Sequence, residues 1–270
     1  MDSPPGIVPI LTGGLGNQMF MVAAAYVAAH HANCPLYIVD CEPDNTHNKL
    51  SYDYNQLIFK DFGQVQELDL DQYTPFTQIS EEGWHPCYDP WDPAEVQPGS
   101  KMISNFQYYP PIKPYEEEIR AKFLKALEPF VPPLDYSGAA FVHIRRGDYL
   151  DNPLYHFIQT LDYYKDAVKR LRKASPQKIF ILSDDMEWVA SQAFFRQPIF
   201  EPFQGDELQT LALMSKCVKG AICGNSTFSW WGAFLGAHAL RAPVYVPSDW
   251  IDIPVASLFP EEWIVVPSGP

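Results

Sequence analysis

Basic residues are scarce in this chain of 270: 19 Lys and Arg stand against 33 Asp and Glu, a formal net charge of −14. A nucleic-acid or anionic-membrane binder needs a broad basic footprint, so neither is expected as a partner. A small anion held in a local basic pocket stays open. No stretch reaches eighteen apolar residues, and the best run, Met19 to Ala29, is too short to span a bilayer. The first fifteen residues hold Pro4, Pro5 and Pro9 but no basic segment, which argues against a signal peptide. Cys34, Cys41, Cys87, Cys217 and Cys223 make neither a zinc spacing nor a dense disulfide framework. Free thiols in a reducing compartment are the simplest account, although Cys34 and Cys41 could pair. Repeats and low-complexity tracts are missing too. The expectation is a soluble, cytoplasmic protein, or a catalytic fragment of a longer one.

What is there reads as α/β. An apolar run at 7–11 ends in Thr12-Gly-Gly-Leu-Gly-Asn-Gln18, an alanine-rich helix pattern covers 19–30, and Leu36 to Val39 reads as a strand. Strand, glycine turn, helix and strand make the unit of a parallel sheet, and short, fully apolar strands suit a sheet covered on both faces. From Pro75 to Pro114 prolines and aromatics crowd without a helical period, a stretch expected to carry acceptor specificity. An amphipathic helix follows at 115–127, and Pro129, Pro132 and Pro133 mark a linker. A second α/β run then places strands at 139–144, 178–182, 221–223 and 244–246, the last closing the series. Helices are read at 161–173, 208–216 and 226–238. The expected division is 1–133 and 134–270, with the last residues packing back on the first domain.

Four constellations carry chemistry. Gly14 and Gly16, followed by Asn17 and Gln18, let backbone approach a ligand at a helix amino end; the same residues also make a tight turn before a packed helix. Asn17 and Gln18 could present amides to sugar hydroxyls. His143-Ile-Arg145-Arg146-Gly-Asp148-Tyr149 ends a strand on two adjacent guanidiniums, suited to grip a diphosphate; the structural alternative is an Arg146–Asp148 ion pair. Asp184 and Asp185 end another strand, where ribose or acceptor contact, helix capping and metal binding all stay open. Asn225, Ser226, Thr227, Phe228 and Ser229 open an aromatic helix, either as phosphate donors or as a cap ahead of core aromatics. One of Trp230 and Trp231 could shape a sugar platform.

Those blocks, with Gly13 to Phe20, Asn105-Phe-Gln-Tyr108 and Leu213-Met-Ser-Lys-Cys217, keep one order along the chain and resemble the alpha-1,2-fucosyltransferase family, glycosyltransferase family 11. The resemblance implies a GT-B-like α/β fold, two Rossmann-like domains facing a central cleft, with the nucleotide mainly in the second. It implies GDP-L-fucose as donor, an oligosaccharide acceptor, inverting transfer to the 2-OH of galactose, and neither an essential metal nor another cofactor. Carried onto this chain, Arg145 and its neighbours would contact the donor diphosphate, with Ser226 and Thr227 nearby, and His143 would orient the arginines or touch the nucleotide. The animal enzymes' membrane anchor is missing, which points to soluble microbial or viral relatives. Met21-Val22 stands where many relatives carry Gln-Tyr. For the base that takes the acceptor proton, Asp148 comes first and His143 second. Another GDP-linked deoxyhexose such as GDP-rhamnose, or a glycan-binding protein without transfer, are the rival readings.

Overall fold

The computed structural model describes residues 4–39, 53–77, 88–151, 157–251 and 256–269. Cys41, Cys87 and the 78–87 part of the proline-rich stretch lie outside them. Among the described residues Cys34, Cys217 and Cys223 are free thiols. The chain divides into two compact units, one of residues 1–126 and 256–259, the other of 127–255 and 260–270.

The first unit contains a parallel sheet. Strands β1 (Val8–Pro9), β2 (Tyr37–Val39), β3 (Gln64–Gln66), β4 (Thr74–Phe76) and β5 (Ser100–Met102) pair as β1 with β5, β5 with β4, and β2 with β3. A parallel bridge between Ile7 and Leu36 joins the two pieces, giving the order β3-β2-β1-β5-β4. Between β1 and β2 runs α1 (Leu15–Ala32), four residues longer at its start than the apolar pattern suggested because glycine and amide residues form its first turn. Fourteen of its 18 residues are buried, as expected of a helix apolar on nearly every side. Asn33 ends it in the left-handed conformation, its N–H reaching the carbonyls of Ala29 and His30. The second helix, α2 (Glu116–Leu127), carries three glutamates in its first turn and Lys125 in its last, the polarity that its dipole favours.

The second unit is built on six parallel strands: β6 (Ala139–Ile144), β7 (Lys178–Ser183), β8 (Phe200–Pro202), β9 (Ala221–Ile222), β10 (Val244–Pro247) and β11 (Ile264–Val266). Their order is β8-β7-β6-β9-β10-β11. Helices α3 (Leu161–Leu171), α4 (Met186–Ser191), α5 (Glu207–Lys216) and α6 (Thr227–Leu235) alternate with the strands. All six residues of β6 are buried, because it lies mid-sheet with cover on both faces. The series does not close at Val246: β11 pairs with β10 beyond it, and β8 was not foreseen. Both are three-residue edge strands with two exposed residues each; β8, Phe-Glu-Pro, shows no apolar run, and β11, Ile-Val-Val, is apolar but short.

This order runs outward from β6 through β7 to β8, then returns to start again at β9. The direction reverses between β6 and β9, and ligands of such sheets bind beyond the strand ends at that reversal. The first unit reverses between β1 and β5.

Candidate active site

Beyond the ends of β6 and β9, two loops meet at the reversal of the second sheet. Gly224, after β9, sits so close to β6 that a Cβ there would lie 3.2 Å from the His143 carbonyl and 3.4 Å from the Arg145 nitrogen. Tyr149 reaches across from the β6 loop, its hydroxyl donating to the Asn225 carbonyl at 2.9 Å. Burial, offset in part by Arg145, pushes the Tyr149 phenol up to about 12, so it acts as a neutral donor.

The strand stops at Ile144, so Arg145 and Arg146 stand on the turn beyond it and diverge. Arg145 Nη2 pairs with Asp148 at 2.7 Å and Nη1 with Asp184 at 2.9 Å; the guanidinium is 29% exposed and lies 5.4 Å from the Tyr149 ring centre. Arg146 instead donates from Nε to Asp185 at 3.0 Å and lies 4.3 Å over the Trp188 ring. The two guanidiniums thus differ in setting: that of Arg145 is partly exposed between two carboxylates, and that of Arg146 is stacked on Trp188 and paired with one. The ion pair of the structural alternative also changes hands: Asp148 is bound by Arg145, not Arg146.

Asp184 and Asp185 serve this turn. Asp184 Oδ1 accepts the Arg146 backbone N–H at 2.9 Å while its other oxygen holds Arg145. Asp185 caps α4 by accepting from the Trp188 N–H at 2.9 Å. A Cβ at Gly147 would lie 2.8 Å from Asp184 Oδ2 and push that carboxylate aside. Among the described residues no group of three or more His, Cys, Asp or Glu side chains is placed to hold a metal ion.

His143 is buried, its ring 5.7 Å from that of Phe228. Burial first, then the nearby Arg145 charge, push its imidazole down to about 4, with Asp184 opposing. It is neutral at pH 7, and its Nδ1 has no hydrogen-bond partner among the described residues. A base of such low proton affinity, shut from solvent, ranks behind Asp148, whose carboxylate is 56% exposed.

The β9 loop is held from several sides. Asn225 Nδ2 donates to the carbonyls of Phe157 at 2.8 Å and Trp250 at 3.1 Å, while its buried Oδ1 has no partner among the described residues. Ser226 caps α6 by accepting from the Phe228 N–H, and the Ser229 hydroxyl lies 2.9 Å from the carbonyls of both Gly224 and Ser226. Thr227 begins the helix. Trp230 and Trp231 are fully buried, which removes the sugar-platform idea: their rings fill core with Phe234.

In the first unit the glycine turn meets the β5 loop in the same way. Gly13 takes a positive φ of 70° and Gly14 caps α1 without a side chain. Gln18 is buried and its Nε2 donates back to the Gly13 carbonyl at 2.8 Å, so this amide shapes the turn. Asn17 Oδ1 accepts from Gln107 Nε2 at 3.2 Å. Gln107 enters the sequence analysis only through the resemblance; it is buried, and its Oε1 has no partner among the described residues. Spacing alone does not single out Gln107, because one residue in a loop carries no periodicity.

No helix among the described residues is long and apolar enough to cross a membrane. Residues 118–265 match the profile of Glycosyl transferase family 11. Similar proteins include the O-antigen biosynthesis glycosyltransferase WbnK of Escherichia coli, 28% identical over 89% of this chain and 93% of that one. An alpha-1,2-colitosyltransferase of Escherichia coli is 25% identical over 96% and 98%. Among solved structures, fucosyltransferase NodZ from Bradyrhizobium aligns with a TM-score of 0.45 and 13% identity, over 87% of this chain and 94% of that one. The profile spans more than half of the chain, including both loops of the second unit, and the chain belongs to glycosyl transferase family 11.

Proposed function

We propose that this glycosyltransferase moves L-fucose from GDP-L-fucose to a galactose 2-OH of an acceptor glycan, with inversion and without a metal. The observation that carries the reading is Arg145, a partly exposed guanidinium at the strand-order reversal of a six-stranded parallel sheet. The loop that opens α6 packs beside it. A departing diphosphate needs fixed positive charge and N–H donors where its own charge grows. Arg145 and the amide end of α6 offer both.

The reaction is a displacement at the sugar's anomeric carbon. The acceptor oxygen forms the new bond as the bond to the GDP β-phosphate oxygen breaks, so a β-linked donor gives an α-linked product. GDP leaves with the bonding electron pair, and the acceptor proton passes to Asp148. Asp184 aims Arg145, while Arg146 and Asp185 brace the turn. His143, Asn225, Ser226, Thr227, Phe228 and Ser229 shape the donor pocket of the second unit, and Gly14, Gly16, Asn17 and Gln18 are the ligand-contact candidates of the first. The 75–114 stretch selects the acceptor. A cytoplasmic setting, where nucleotide sugars are at hand, fits this reading.

A second donor comes from one observation, the similarity to a colitosyltransferase. A pocket that distinguishes sugars by one group discriminates by only ~1–3 kcal/mol when the contact is apolar, so close donors compete. GDP-rhamnose is the more distant rival, and a glycan-binding protein without transfer leaves Arg145 no evident task. The test is product NMR after incubation with GDP-fucose, GDP-colitose or GDP-rhamnose and a panel of galactosides. An α-linked fucose on galactose O2 is expected. No transfer from GDP-fucose, or a β-linkage, overturns the assignment.

A further inference from the structure

Around the β6 turn, two guanidiniums, Arg145 and Arg146, face three carboxylates, Asp148, Asp184 and Asp185. These five groups sum to one negative charge, in a protein already at −14. An incoming diphosphate would meet a repulsive cluster, and both terminal nitrogens of Arg145 already hold a carboxylate. One carboxylate has to leave for the anion to bind well.

The three differ in how firmly they are held. Asp185 pairs with Arg146 and caps α4. Asp184 holds Arg145 with one oxygen and the Arg146 backbone N–H with the other, and only 25% of its side chain is exposed. Asp148 sits on the turn itself, 56% exposed, with Arg145 as its ion-pair partner. An exposed pair of this kind is weak. The turn has its own anchors, the Tyr149 hydroxyl on Asn225 and the Leu150 N–H on the carbonyl of Arg146 at 3.0 Å, so Asp148 can swing away without unravelling it.

We propose that Asp148 is a resident counter-ion which the donor diphosphate displaces from Arg145, so that donor binding is an exchange of anions. Asp184 stays and keeps the guanidinium aimed. The exchange removes the repulsion as the ligand arrives and frees the Asp148 carboxylate beside the leaving group. When product departs, Asp148 returns to Arg145 and helps expel GDP. This rests on the reading of Arg145 as the diphosphate anchor.

The experiment is calorimetric titration of GDP into the wild type and into Asp148→Asn, Asp148→Ser and Asp151→Asn. Asp151 lies three residues along the same turn and controls for general loss of negative charge. Both Asp148 variants are expected to bind GDP about two- to tenfold tighter, the scale of an exposed charge contact. Stopped-flow release of GDP should slow in proportion, while Asp151→Asn changes little. Equal or weaker binding by the Asp148 variants overturns the exchange, as does equal tightening in all three variants. If the wild type binds no GDP at millimolar concentration, the donor reading itself falls.

Discussion

The Tyr149 hydroxyl donates to the Asn225 backbone carbonyl across the strand-order reversal of the second sheet, 2.9 Å away. This bond ties the arginine turn after β6 to the loop that opens α6, so the two candidate phosphate-binding elements are held to each other before any ligand arrives. Tyr149→Phe keeps the ring beside Arg145 and deletes the tie. The variant should lose about 1 kcal/mol of stability and bind GDP several-fold more weakly. Thermal melting and calorimetry together check this; unchanged GDP affinity would show that the tie does not set the site.

The two arginines have different tasks and so should fail differently. Arg145→Ala removes the partly exposed guanidinium and should cut kcat by about 100-fold or more, the scale of a lost charge stabiliser, with little change in Tm. Arg146→Ala removes a cation stacked on Trp188 and leaves Asp185 without its arginine. It should cost about 1–2 kcal/mol of stability, read by denaturant unfolding, with a smaller effect on turnover than Arg145→Ala. Equal losses of turnover without loss of stability would contradict this division.

A side chain at Gly147 would meet the Asp184 carboxylate. In Gly147→Ala the new methyl would sit 2.8 Å from Asp184 Oδ2, so the carboxylate must shift and Arg145 loses its aim. Turnover should fall about tenfold or more, since small misplacements of this kind are costly, while the melt moves little. Wild-type kinetics in this variant would show that the Arg145–Asp184 geometry is not needed.

His143 predicts a pH dependence of stability. Its folded-state proton affinity lies below the ordinary value, about 4 against 6.5. Between those values the unfolded chain binds more protons, so stability is fully present above pH 6.5 and is lost as pH falls towards 4. The loss should be on the order of 3 kcal/mol across the interval. His143→Gln removes that titration. Subtracting its unfolding curve from the wild-type curve isolates the contribution, and parallel curves would contradict a buried neutral imidazole.

The sequence showed the centre of the fold better than its margins. β6 and α2 were legible to within a residue, because buried strands read as unbroken apolar runs and α2 keeps a 3.6-residue period. β8 and β11 were not, since edge strands are short and half solvated. In the site, the residue types around Arg145 were visible, but not how they pair. Charge partners are set by which loop each carboxylate sits on: Asp184 arrives from the next strand, and no spacing along the chain reveals that it outranks Asp148 as a fixed partner. Trp230 and Trp231 pack in the core and neither forms a sugar platform; both readings stood open because aromatic pairs look alike in sequence whether they face ligand or core.

The most direct measurement is a crystal structure with GDP bound. A diphosphate oxygen is predicted within ~2.7–3.1 Å of the Arg145 guanidinium, with a second oxygen at the amide end of α6. GDP bound elsewhere, with the Arg145 guanidinium turned from its phosphates, would contradict the account.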